Sequence, residues 1–170
     1  MNNSLRVLRL FVLLLTGLSA VFLNEVMIGF PVLFAVALAI SAGLTIIYIF
    51  LNFDKQLNEK LIMELVADGF SGIVLFTYPF SDERFFLIVF AFWIAWSGTL
   101  WLTSGLFVPA KEKMMWFYTL AGIVFIVLGF VLLNYAQEMI NSAIYVVGFS
   151  LTLYSVLGLY LGLAKRTDLY

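Results

Sequence analysis

A chain of 170 residues that is 64% hydrophobic, 18% aromatic and only 11% charged is no soluble globular domain, which is about half apolar and a quarter charged. Nor is it a disordered one. The absence of cysteine and histidine excludes disulfides, Fe–S clusters, Cys-ligated zinc and a Ser-His-Asp triad. A net charge of −1 with nine basic residues leaves no nucleic-acid footprint, and neither a Walker-type nor a G-x-G-x-x-G phosphate cradle occurs.

Six apolar stretches follow one another along the chain, at about 5–23, 26–51, 61–80, 85–108, 114–133 and 139–163. Each is long enough to cross ~30 Å of hydrocarbon. The first opens on Arg6 and Arg9, a pattern that a cleaved signal peptide shares. The internal repeat needs this segment, so it is read as a span. The connections alternate in chemistry. Asn24-Glu25, Ser81 to Arg84 and Ala136 to Glu138 carry acids and the single base Arg84. Arg6, Arg9, Lys55, Lys60, Lys111, Lys113, Lys165 and Arg166 fall on the other side. The positive-inside rule then places both termini in the cytoplasm.

Self-similarity organises the spans into units. Gly17, Gly72 and Gly129 each stand seven residues before an outer turn, at Asn24, Pro79 and Ala136. Each is followed 26 residues later by another small residue, Gly43, Gly98 and Ser155. The chain therefore reads as an all-α integral membrane protein. Its six transmembrane helices form three parallel helical-hairpin repeats, about 5–52, 60–108 and 113–164, in a single bundle over 1–170. Lipid offers no hydrophobic drive between helices, so small residues must let backbones approach. Ala35, Ala39 and Gly43, then Ala91, Ala95 and Thr99, then Gly158 and Gly162 are spaced for this on the even-numbered spans. Gly158 and Gly162 form a GxxxG that also suits a homo-oligomer face.

The unit of a helix ending Gly-x6-Pro, a short turn and a helix with a Ser-Gly pair resembles the short repeat of the HdeD-type bacterial membrane proteins. Asp68-Gly69-Phe70-Ser71-Gly72, Tyr78-Pro79 and Ser97-Gly98 carry the resemblance. The third unit keeps Gly122 and Gly129 but has Ala136 at the turn proline, and the first has Asn24 there. The resemblance implies a multi-pass protein of the bacterial inner membrane, linked through its founding member to acid resistance. It brings no catalytic residue, cofactor or metal.

Most acids lie in connections, but Lys60, Glu64 and Asp68 line one face of the third span at four-residue spacing. With Lys60 at the interface, Glu64 lies ~6 Å and Asp68 ~12 Å deep. An ionised carboxylate there costs about 2.5–3.5 kcal/mol. Two readings stand. Asp68 and Glu64 form a proton or cation site, or Asp68 bridges helices through Ser71, Ser97 or Thr99. No basic partner is expected at that depth, and on the bridging reading Asp68→Asn is expected to behave like the parent. An intramembrane aspartyl protease is set aside, because Asp68-Gly69 lacks a second aspartate and a preceding Gly-x-Gly. Trp116, Phe117 and Tyr118, with Tyr78, Phe80 and Tyr135, read as interfacial belts. Trp93, Trp96 and Trp101 read as core.

The expectation is a non-enzymatic membrane protein acting in envelope stress or acid tolerance. Its partner is the lipid bilayer, with no nucleic acid and no cofactor. The alternatives are a small transporter or channel using Asp68, and an assembly or scaffold subunit.

Overall fold

The computed structural model describes residues 3–22, 29–52, 59–77, 83–107, 112–134 and 140–163. They form six helices: α1 Asn3–Phe22, α2 Phe30–Leu51, α3 Glu59–Thr77, α4 Glu83–Phe107, α5 Glu112–Leu133 and α6 Ile140–Leu163. There is no strand among the described residues. The turns Asn24-Glu25, Tyr78 to Asp82 and Tyr135 to Glu138 lie outside them, as do Lys55, Lys111, Lys165, Arg166, the side chain of Lys113 and the surroundings of Gly162.

Helix ends follow local chemistry. α2 begins later than its apolar run suggests, at Phe30, with Gly29 as N-cap and Pro31 in the first turn. Proline lacks an amide hydrogen and suits a position where that donor has no intrahelical acceptor.

Five helices are long and apolar enough to cross a membrane, making the chain a multi-pass membrane protein. The sixth, α3, carries Glu59, Lys60, Glu64 and Asp68 and falls short on composition. Its charges are not spread around the helix, however. Ile62, Met63, Val66, Phe70, Ile73 and Phe76 are exposed, whereas Glu64, Asp68 and Ser71 are buried. α3 thus shows an apolar face outward and turns Glu64 and Asp68 inward, while Glu59 at its start is exposed.

The closest helix pairs are α4 with α5, α1 with α6, and α2 with α3. The pairs α1–α2, α3–α4 and α5–α6, which the repeat would join as hairpins, pack less closely. Absent side chains account for the tight pairs. A Cβ added to Gly98 would stand 2.8 Å from the Gly122 carbonyl oxygen and 2.9 Å from the Ile126 nitrogen. One added to Gly129 would meet the Ala91 carbonyl oxygen and the Ala95 Cβ, both at 2.9 Å. One added to Gly17 would meet Thr152 Oγ1 at 2.7 Å, and one added to Gly158 would meet Leu10. Gly72 is looser, with Leu38 Cβ at 3.5 Å. Gly43 corrects the packing expectation. A Cβ there would find nothing within 4 Å, so this glycine brings no helix close. Gly105 and Gly148, not singled out from sequence, and Gly122, noted there only for the family resemblance, are packed as tightly as any.

The core is aromatic. Phe30, Phe34, Phe86, Phe90 and Trp93 stack across α2 and α4. Trp93 continues to Tyr154, and Tyr154 to Trp101 and Phe125. Such ring pairs contribute about 0.5–1.5 kcal/mol each beyond area burial. Tyr118 was expected in an interfacial belt but is fully buried against Trp101, while Trp116 is 75% exposed. A helix places residues two apart about 200° around its axis, so one aromatic run cannot all face the interface. Ser155 is buried and donates to the Leu151 carbonyl at 2.8 Å, which satisfies its hydroxyl within its own turn.

Candidate functional site: a buried ionic network at mid-helix

Asp68 is central. It sits halfway along α3, 1% exposed, and both of its oxygens accept hydrogen bonds. Oδ1 accepts from Trp93 Nε1 at 2.8 Å. Oδ2 accepts from Arg9 Nη2 at 2.9 Å and from the Ser41 hydroxyl at 2.5 Å. Glu64 lies one turn earlier on the same face and accepts from Arg9 Nη1. Arg9 Nε donates to Ser41 Oγ at 2.7 Å. One guanidinium thus reaches Glu64, Asp68 and Ser41 through three different nitrogens. The network joins α1, α2, α3 and α4.

Arg9 corrects the expectation of no basic partner. It had been counted with Arg6 among the charges flanking the first span, but it lies inside α1 and is 7% exposed. A signal for it was present in the sequence. Arg9 and Glu64 are 55 residues apart, the same offset that relates Gly17 to Gly72. On the repeat expected from sequence, opposite charges stand at corresponding positions of the first two units.

The partners anticipated for Asp68 differ from those observed. Thr99 donates to the Ala95 carbonyl and is exposed. Ser71 is buried, and its hydroxyl has no hydrogen-bond partner among the described residues. Ser97 pairs with Tyr154, which lies within electrostatic reach of all three network charges. Around this centre Lys60 stands over the rings of Trp101 and Tyr118, at 5.6 and 5.8 Å from their centroids. Trp93 and Trp101 are buried as expected of core residues, and Trp96 is half-buried, donating to the Met63 carbonyl.

The arrangement can hold charge in place. Among the described residues no group of three acidic side chains could hold a metal ion. The hydrogen-bond pattern also revises the expected tolerance of asparagine. Arg9 and Trp93 are donors only, and they face different oxygens of Asp68. Asparagine offers one oxygen and one NH2 group, so one donor would face another. Asp68→Asn should therefore lower stability by about 1–3 kcal/mol. The loss should shrink when Trp93→Phe removes the facing N–H, which a double-mutant cycle of unfolding free energies measures. Additive losses would mean that Trp93 and Asp68 are not coupled.

A family model described as "Short repeat of unknown function (DUF308)" matches residues 70–134 and 120–169. No curated protein and no solved structure matches the chain. Four of the five network residues, Arg9, Ser41, Glu64 and Asp68, precede residue 70, so the family match says nothing about them. The matched stretches together run over 70–169, more than half of the 170 residues, and the chain belongs to the DUF308 short-repeat family.

Proposed function

We propose that this chain is a non-enzymatic, HdeD-type protein of a bacterial inner membrane, with both termini cytoplasmic, and that its buried network locks helices together without carrying ions. The observation that carries this reading is Arg9, which is engaged at once by Glu64, Asp68 and Ser41. A fixed internal cation occupies the place that a transported one would need. The role in envelope stress or acid tolerance rests on the resemblance to the HdeD type.

Three parallel hairpins are supported by a recurring contact. Gly17, Gly72 and Gly129 each face a carbonyl oxygen and the amide four residues later on a neighbouring even-numbered helix: Gly148 and Thr152, Ala35 and Ala39, Ala91 and Ala95. Gly158 faces Leu10 of the same chain, which favours intramolecular use of that GxxxG over a scaffold or homo-oligomer face.

Two measurements test the proposal. Reporter fusions after Lys60, Lys113 and Tyr170 should report cytoplasm, and those after Glu25, Glu83 and Glu138 the exterior. An exterior C-terminus would overturn the topology. In proteoliposomes the parent should show no proton or cation flux above that of empty vesicles. A flux that Asp68→Asn abolishes while the helices remain folded would make the chain a transporter.

A further inference from the structure

The six helices group into three close pairs, α1–α6, α2–α3 and α4–α5. Glycines bring the first and the last together at backbone distance. A Cβ added to Gly148 would stand 2.9 Å from the Gly17 carbonyl oxygen, and one added to Gly105 would stand 2.9 Å from the Thr119 nitrogen. Three seams join the pairs: α1–α2, α3–α4 and α5–α6. Polar ties cross the first two. Arg9 donates to Ser41 across α1–α2, while Trp93 donates to Asp68 and Trp96 to the Met63 carbonyl across α3–α4. The five network residues all lie on α1 to α4, and none on α5 or α6. The seam α5–α6 is the loosest of the three. Ring pairs cross it, Phe125 with Tyr154 at 5.7 Å and Phe117 with Tyr160 at 6.5 Å between centroids. Tyr154 is the hub. Its ring also meets Trp93 at 5.3 Å and Trp101 at 5.9 Å, and Ser97 of α4 pairs with its hydroxyl.

We propose that the bundle parts sideways at α5–α6, with Tyr154 as the pin that holds this seam closed, while α1–α2 and α3–α4 stay shut. The solvent decides which seam yields. Lipid tails are as apolar as leucine, so parting an apolar seam in hydrocarbon loses packing but exposes nothing to water. Breaking a polar tie there strands a donor or a carboxylate with no water to receive it. The bilayer therefore holds the two polar seams and tolerates the opening of the third. The α1–α6 pair swings about the Arg9 contacts, Tyr154 leaves the space between Trp93, Trp101 and Phe125, and an acyl chain takes the gap. This motion rests on the reading of the network as a lock, which makes it the hinge side of the bundle.

The chain contains no cysteine, so introduced pairs take nitroxide labels at the chosen sites alone. Ile123 of α5 and Val156 of α6 are exposed beside the Phe125–Tyr154 contact, and Ile73 of α3 and Ile88 of α4 are exposed near the Phe70–Phe92 contact. Dipolar spectra of the full chain in phosphatidylcholine vesicles should give two separations for Ile123→Cys with Val156→Cys, one of them longer. Ile73→Cys with Ile88→Cys should give one. Tyr154→Leu removes three ring contacts and should raise the open-to-closed ratio about tenfold. Tyr154→Phe keeps the ring and loses the Ser97 contact, so it should raise the ratio about threefold, and it serves where the leucine variant does not fold. A single separation across α5–α6 in the parent would overturn the seam and leave the lock standing. Two separations at both seams would overturn the selective opening and the lock with it. An unchanged ratio in folded Tyr154 variants would overturn Tyr154 as the pin.

Discussion

Arg9→Leu should be the most damaging single substitution in the chain. It removes the cation shared by Glu64 and Asp68 and leaves two buried carboxylates one turn apart. Breaking a buried ion pair from one side costs about 3–5 kcal/mol, because the remaining charge stays desolvated. Unfolding in mixed micelles, followed by the helical signal, should show a loss of that size. Arg9→Lys should fall between parent and leucine. One ammonium keeps the charge but cannot serve three acceptors in separate directions. The triple variant Arg9→Met, Glu64→Leu, Asp68→Leu should recover much of the loss, since apolar replacement of a whole buried ionic set is often neutral or stabilising. Arg9→Leu with parental stability would mean that the network contributes nothing to holding the helices.

The second large effect is expected at Gly122. An added Cβ would stand 2.6 Å from the Leu102 nitrogen, 2.7 Å from the Gly98 carbonyl oxygen and 2.9 Å from the Leu102 Cα. All three are backbone atoms, so no side-chain rotation relieves the overlap. Gly122→Ala should separate α4 from α5 along the closest interface of the bundle and cost about 1–3 kcal/mol or more. Gly43→Ala is the matched control. Open space there leaves only the gain in helix propensity, about 0.5–1 kcal/mol in favour of alanine. Thermal melting of both in detergent should move in opposite directions. A parental melting temperature for Gly122→Ala would show that the interface yields to an extra methyl group.

The helices were legible from sequence because hydrocarbon imposes a length and punishes charge, and both constraints act locally. Their ends moved by a few residues, most at α2, where Pro31 sets the first turn. Asp68 stood out for the same reason, as an acid amid apolar neighbours. Its partners did not. Ser41, Trp93 and Arg9 reach it from three other helices, and Arg9 resembles a flanking charge when read along the chain. Glycine packing was legible only in part. A small residue shows that close approach is allowed, while the facing helix decides whether it occurs, which separates Gly98 from Gly43. Tyr118 shows the same limit, since a hydropathy pattern does not say which way one aromatic among three will turn.

The pairing of Arg9 with α3 has a consequence for biogenesis. On its own, α3 would present Glu64 and Asp68 to the lipid, and a charge near mid-bilayer opposes insertion by about 2.5–3.5 kcal/mol. α1 has the converse burden in one arginine. Because α1 leaves the ribosome first, its guanidinium is already in place when the acids of α3 arrive. Each helix lowers the insertion cost of the other. On the proposed six-span topology the two enter the bilayer as a couple, and replacing α1 should hinder the insertion of α3 before any question of bundle packing arises.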